Sequence, residues 1–203
     1  MQIKYQHSHL NGLEYLTVHF PDHLQEIINV IHNVDADSHR TKVSKEQSRI
    51  GQKLYSPKDL NAAFRDEFRK YHWDEHRQTY YATPDEQLAQ QIMSLPPDEQ
   101  KKKIQDAKEI PYQRHNQTDF MKDKIAIEVQ FGKYPFVSYD IFVKHMAFYV
   151  ANEINVGVEI IPTNKMLKQM SSGPANYEGE IFNLYRQGRN TPAVPLWILG
   201  IEP

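Results

Sequence analysis

The chain of 203 residues contains no cysteine at all. Disulfides and thiolate metal sites are thereby excluded, and the composition agrees with a reducing compartment. No run approaches the roughly 20 apolar residues of a membrane span, and the start of the chain carries no signal-peptide pattern. A cytoplasmic protein without a membrane partner is the expectation. An excess of charge of one sign is missing too. Lys and Arg number 24 against 26 Asp and Glu, a formal net charge of −2. The balance is 15 against 17 over residues 1–110 and 9 against 9 over residues 111–203. Indiscriminate nucleic-acid binders are usually basic. A DNA partner therefore requires positive charge gathered locally, with a bound cation to help.

What is present suits a folded domain. Hydrophobic residues make up 39% and aromatics 11%, enough for a substantial core in one domain. Pro21-Asp22 opens a predicted helix to about Val34, with Leu24, Ile27, Ile28, Ile31 and Val34 on one face. Asp35 to Tyr55 is polar and reads as a long loop or mobile lid. Ser56-Pro57 is an N-cap with proline at N1, starting a helix through about Tyr71. Thr83-Pro84-Asp85-Glu86 reads as a capping box, and Pro97 begins a further short helix to about Lys108. Ser138 to about Ile154 has a strong helical period, with Ile141, Phe142, His145, Tyr149 and Asn152 on one side. Val156, Val158 and Ile160 alternate as a strand, Tyr177 to Tyr185 is helical, and Ala193 to Ile201 reads as a buried strand. The expected class is α/β (α+β), a mixed sheet flanked by helices. It divides into a mainly helical part over about 1–110 and an α/β core over about 111–203.

The most informative stretch is Asp119 to Phe136. Ile125, Ile127, Val129 and Phe131 alternate with Ala126, Glu128 and Gln130, the period of a half-buried strand. Glu128 and Gln130 leave the same face. A turn at Lys122-Asp123 would bring Asp119 on a neighbouring strand towards Glu128. Two nearby acids repel unless a cation lies between them, and an all-oxygen pocket suits Mg²⁺. Spacing alone leaves the plain alternative open, since Glu and Gln on the wet face of an edge strand are common in antiparallel sheets.

The same stretch resembles the catalytic hairpin of the PD-(D/E)xK nuclease superfamily. Glu128-Val-Gln-Phe-Gly-Lys-Tyr-Pro-Phe136 closely resembles the BstYI/BglII group of type II restriction endonucleases. Ser8-His-Leu-Asn-Gly-Leu-Glu-Tyr15, Asn116-Gln-Thr-Asp-Phe120, Phe142 to Val150, Met170-Ser-Ser-Gly173, Arg186-Gln-Gly-Arg189 and Pro192 to Leu196 extend the likeness to BstYI through most of the chain. The resemblance implies a restriction-endonuclease-like fold and a homodimer that cuts double-stranded DNA with Mg²⁺. It implies a palindromic six-base site centred on GATC and 5′ overhangs. It also implies that Asp119, Glu128 and the Val129 carbonyl hold the metal. Gln130 stands where the superfamily usually has lysine, and Thr118 where the motif name has proline. A glutamine amide is no base, but its oxygen can accept a hydrogen bond and orient water.

Outside the hairpin, Lys133 is placed to reach a base edge or phosphate, lysine being a good reader of guanine, or to be a solvated loop residue. Ser171 and Ser172 in a Gly/Pro loop suit short hydroxyl contacts to bases, or are turn residues. Arg186 and Arg189 suit phosphate contacts or surface ion pairs. His72-Trp-Asp-Glu75-His76 satisfies H-x-x-E-H, the inverted zinc-protease pattern, with Glu75 as its base. No third ligand lies nearby, and with ten histidines chance pairs are expected. The rivals to a nuclease are a zinc peptidase on His72 and His76 and an inactive DNA-binding protein of the same fold. His145 reads as a hydrogen-bonded core residue.

Overall fold

The computed structural model describes residues 1–133, 135–171 and 173–203. The chain forms two compact units, Met1–Asp74 with Asp119–Pro203, and Glu75–Thr118. This division lies elsewhere than residue 110, because the first 74 residues pack with the C-terminal half. The N-terminal elements are β1 (Gln2–His9), α1 (Gly12–His19), α2 (Pro21–Asn33), a two-strand ribbon of β2 (Lys42–Val43) and β3 (Lys53–Leu54), and α3 (Pro57–Arg69). There follow β4 (Asp74–Ala82), α4 (Glu86–Ile92), α5 (Pro97–Asp106) and β5 (Tyr112–Lys122). The remainder is β6 (Ile125–Val129), α6 (Pro135–Tyr139), a π-helical turn (Asp140–Lys144), α7 (His145–Val150), β7 (Val156–Pro162), α8 (Asn164–Leu167), α9 (Tyr177–Gln187) and β8 (Leu196–Glu202).

The sheet order is β1-β8-β7-β6-β5-β4. β1 runs antiparallel to β8, the β8–β7 and β7–β6 pairs are parallel, and β6–β5 is antiparallel. Every residue of β6, β7 and β8 is buried, as expected of strands covered on both faces. Ile125, Ile127 and Val129 point into one apolar cluster with Leu60, Phe64 and Phe68 of α3 and Ile27 and Ile31 of α2. Ala126 and Ile198 point the other way, onto Val137, Ile141 and Phe148 of the helix that follows β6.

Local signals explain most of the helices. Ser56 Oγ accepts from the Asp59 amide at 3.4 Å, Pro57 takes N1, and Leu60, Phe64 and Phe68 recur every fourth residue, all fully buried. Four features depart from the sequence reading. β1 and β4 go unpredicted because neither alternates cleanly. The segment from Asp35 to Tyr55 is pinned in place: Arg40 donates to Tyr55 at 2.5 Å and to Gln169 at 2.6 Å, and Arg49 donates to the Lys168 carbonyl at 2.8 Å. Tyr55 itself is fully buried. The cap of α4 is Asp85, which accepts from Leu88 at 2.9 Å, so the helix starts later than a Thr83 cap requires. The helix expected over 138–154 spans Pro135–Val150, and its π turn shifts the inward face so that Phe148 is buried while Tyr149 is exposed.

Candidate active site

The hairpin of β5 and β6 pairs Phe120 with Ile127, Met121 with Ala126 and Lys122 with Ile125. The next step along that register sets Asp119 opposite Glu128, and opposed residues share a face. The turn is Asp123-Lys124, one residue later than the sequence reading placed it. Both have positive φ, 47° and 63°, as a two-residue type I′ turn demands. Lys122 remains in the strand, its ammonium held by Glu26 at 2.9 Å and the Tyr71 carbonyl at 3.0 Å. Asp119 is half-buried, and its Oδ2 accepts from the Val129 amide at 3.1 Å.

The expectation of a half-buried β6 with a wet face is corrected. β6 lies between β5 and β7 under helices on both sides, and Glu128 is only 2% exposed. In the parallel register Glu128 stands beside Glu159 of β7, so two glutamates share one buried face. Consecutive residues of the overlying helix meet them. Lys144 Nζ lies 2.8 Å from Glu128 Oε1 and 2.6 Å from Asp140 Oδ1. His145 Nε2 lies 3.1 Å from Glu159 Oε1, both side chains being fully buried. That pair matches the reading of His145 as a hydrogen-bonded core residue. Gln130 follows the strand end; its Nε2 donates to Asp140 Oδ2 at 3.0 Å and its Oε1 accepts from the Gly132 amide at 3.1 Å.

Burial dominates the titration of this cluster. It pushes the Glu128 carboxyl up to about 8, against the pull of the Lys144 ammonium and with help from Asp140 and Asp119. Burial also raises Asp119, opposed by its bond from Val129 and by the Lys144 and Arg65 charges. Asp140 is raised for the same reason, with Lys144 and Gln130 opposing. Lys144 is raised as well: burial disfavours its charge, but Glu128 and Asp140 outweigh that, so it stays an ammonium. Burial pushes His145 down to about 3 and Glu159 well up, so this pair is neutral.

Asp119, Phe120 and Val129 line a recess of about 30 Å³ with Asn61 and Arg65 of α3. Asn61 Oδ1 is buried there without a hydrogen-bond partner, an oxygen free to ligate a cation or accept from water. The recess itself is lined by Asp119, Asn61 and Val129, while Glu128 faces the helix after β6, against Lys144. Among the described residues no three His, Asp or Glu side chains form a ready metal cage. Two carboxylates with the remaining positions left to backbone, water and phosphate fit Mg²⁺ better than zinc. Asn61, Arg65, Asp140 and Lys144 are the site residues that sequence reasoning missed. The only signals for them are Asn61 and Arg65 spaced one turn apart on α3, and the i,i+4 spacing of Asp140 and Lys144 on an otherwise apolar helix.

The other sequence candidates lie as follows. Lys133 is exposed in the connection from β6 to α6, and Ser171 is half-buried after a bridge at Met170. Ser172 lies outside the described residues. Arg186 and Arg189 are exposed, on α9 and just beyond it, and α9 packs on β8 instead of on the hairpin. Arg186 donates to Asn183 at 2.9 Å within its own helix. His72 has φ 61° and precedes a strand that carries His76. The zinc-peptidase pattern needs both histidines on one helix, so that rival is set aside.

The fold has counterparts among solved structures. No curated protein sequence matches the chain. The crystal structure of restriction endonuclease BglII complexed with a DNA 16-mer is similar at a TM-score of 0.65 and 19% identity, covering 100% of this chain and 79% of that one. Free BglII is similar at a TM-score of 0.57 and 18% identity, covering 100% and 80%. The family model for restriction endonuclease BglII/BglIII matches residues 5–201. With nearly its whole length matched, the chain belongs to the BglII/BglIII family of restriction endonucleases, type II site-specific deoxyribonucleases.

Proposed function

We propose that this enzyme hydrolyses phosphodiester bonds at a palindromic, GATC-centred six-base site in duplex DNA, using Mg²⁺ and leaving 5′ overhangs. The observation that supports the reading is the β5–β6 hairpin, which pairs Phe120 with Ile127, the neighbours of Asp119 and Glu128, and in which Asp119 Oδ2 accepts from the Val129 amide. When bound, the cation supplies charge neutralisation at the scissile phosphate and a more acidic water. Asp119, Glu128 and the Val129 carbonyl hold it, with Asn61 Oδ1 as a further oxygen. Gln130, fixed between Asp140 and Gly132, orients an attacking water through its amide oxygen. Arg65, beside Asp119, offers a positive charge to a neighbouring phosphate oxygen. A two-fold dimer matches a palindrome, each copy cutting one strand. Lys133, Ser171 and Ser172 are the proposed base readers, and Arg186 and Arg189 the proposed phosphate contacts. The cytoplasm is the natural setting. Incubating the protein with a plasmid of known sequence and Mg²⁺, then mapping the fragment ends, tests the proposal. Discrete bands with ends inside GATC are expected. Intact plasmid, or ends scattered at random, would overturn it.

A further inference from the structure

Lys144 presents a puzzle that the nuclease reading alone does not resolve. A lysine only 9% exposed, next to a carboxylate meant for a metal, is a cation already in residence. Two explanations compete: the ammonium blocks the metal until DNA arrives, or it holds the carboxylate in the orientation that the metal requires. The hydrogen-bond geometry separates them. Asp140 spends both oxygens inside the cluster, Oδ1 on Lys144 at 2.6 Å and Oδ2 on Gln130 Nε2 at 3.0 Å. It therefore has no oxygen to spare as a ligand and acts as a buckle. Lys144, so anchored, stands 2.8 Å from Glu128 Oε1, an ion-pair distance. That charge contact draws the carboxylate towards the helix and restricts how it can turn. The π-helical turn makes this possible. It ends with Lys144 and His145, consecutive residues that meet neighbouring strands, Lys144 at Glu128 and His145 at Glu159. Such turns recur at functional sites.

We infer that Asp140 and Lys144 form a positioning pair: Lys144 orients Glu128, and Asp140 locks both Lys144 and Gln130. Neither touches substrate; both act through residues that do. Lys144 brings a positive charge from the helix to a strand end where Gln130 carries none. The inference rests on the metal-dependent nuclease reading.

The test uses the full chain as Lys144→Met, Lys144→Arg and Asp140→Asn. It reads single-turnover cleavage of a fragment that the unaltered enzyme cuts, affinity for that fragment in Ca²⁺, Mn²⁺ affinity without DNA, and melting temperature. Misplacing or unanchoring a ligand typically costs about 10- to 100-fold. Lys144→Met is expected to cut about 100-fold more slowly and to bind Mn²⁺ about 10-fold more weakly, with DNA affinity held within about 3-fold. Lys144→Arg, which keeps the charge, should recover at least about a tenth of the rate. Asp140→Asn should lose about 10-fold in rate while Mn²⁺ affinity falls less, because Lys144 still meets Glu128. Mn²⁺ binding as tight as, or tighter than, that of the unaltered enzyme in Lys144→Met would overturn the inference in favour of a blocking lysine. A loss of rate explained by unfolding, unrescued by arginine, would overturn it as well. Should Lys144→Met not fold, an Asp140→Asn rate within about 3-fold of the unaltered enzyme does the same. Failure of the unaltered enzyme to bind Mn²⁺ or to cut would instead sink the nuclease reading itself.

Discussion

Metal affinity should depend steeply on pH, and the structure sets both the direction and the size. Burial holds the Glu128 carboxyl at about 8, so below that value the folded enzyme keeps a proton on the carboxyl proposed to bind the metal. The sign follows from the raised value. Protonated Glu128 favours the metal-free fold, a contribution present below the unfolded carboxyl's range and lost as pH rises through about 8. A metal does the opposite, displacing the proton and binding better as pH rises. With one competing proton, the apparent affinity at pH 6 is lower than at pH 8 by roughly 50-fold, or about 2.3 kcal/mol, and levels off above pH 9. Mn²⁺ titration calorimetry without DNA, in two buffers of different ionisation enthalpy, measures both the slope and the proton released. Nearly one proton per metal is expected at pH 6 and almost none at pH 9. An affinity constant within about twofold from pH 6 to 9 would refute the argument from burial. Glu128→Gln supplies the control, since its residual binding should lose the slope.

Other consequences can be checked more briefly. Asp119→Asn is expected to reduce cleavage by at least about 1,000-fold while site-specific binding in Ca²⁺ persists; full cutting would remove Asp119 from the mechanism. His72→Ala should leave cleavage unchanged and alter no zinc content, measured by emission spectroscopy. Gly12→Ala sets a Cβ 2.4 Å from the Leu196 carbonyl carbon, a backbone atom that cannot yield. It should lower stability by about 1–3 kcal/mol, read as a denaturation midpoint. Phe64→Ala, fully buried between α3 and the sheet, should cost about 3–5 kcal/mol in the same assay.

Periodicity and caps carried far through this chain, and tertiary contacts decided the rest. The α2 and α3 faces, the β5–β6 hairpin, the alternation of β7 and the continuous run of β8 were legible because burial on one side or both leaves its period in the residues. The Asp119–Glu128 pairing was legible for the same reason, with the family likeness adding weight. The dryness of β6 was not, because Glu128 looks like a wet-face residue until β7 and the helix over it are in place. Likewise the sequence reading passed over Asp140 and Lys144, and only the π turn reveals that both point inwards. Arg40 and Arg49 pin a segment that looked mobile, through partners more than a hundred residues away in sequence, Gln169 and Lys168. Asn61 carried no signal beyond its spacing of one turn from Arg65 on α3.

The two-residue turn at Asp123-Lys124 has a further consequence. Neither residue is glycine, yet both adopt left-handed backbone, and Asp123 also ties down His23 at 2.8 Å. The bend therefore works as a ratchet stop for the ribbon. Should the strands slip past each other by one notch, Glu128 would swing to the opposite side and the two acids would part. The alignment of the two acids is thus guarded at the turn itself. Lys124→Gly, which relaxes one strained link, is a place to harden the enzyme against heat without altering what it cuts.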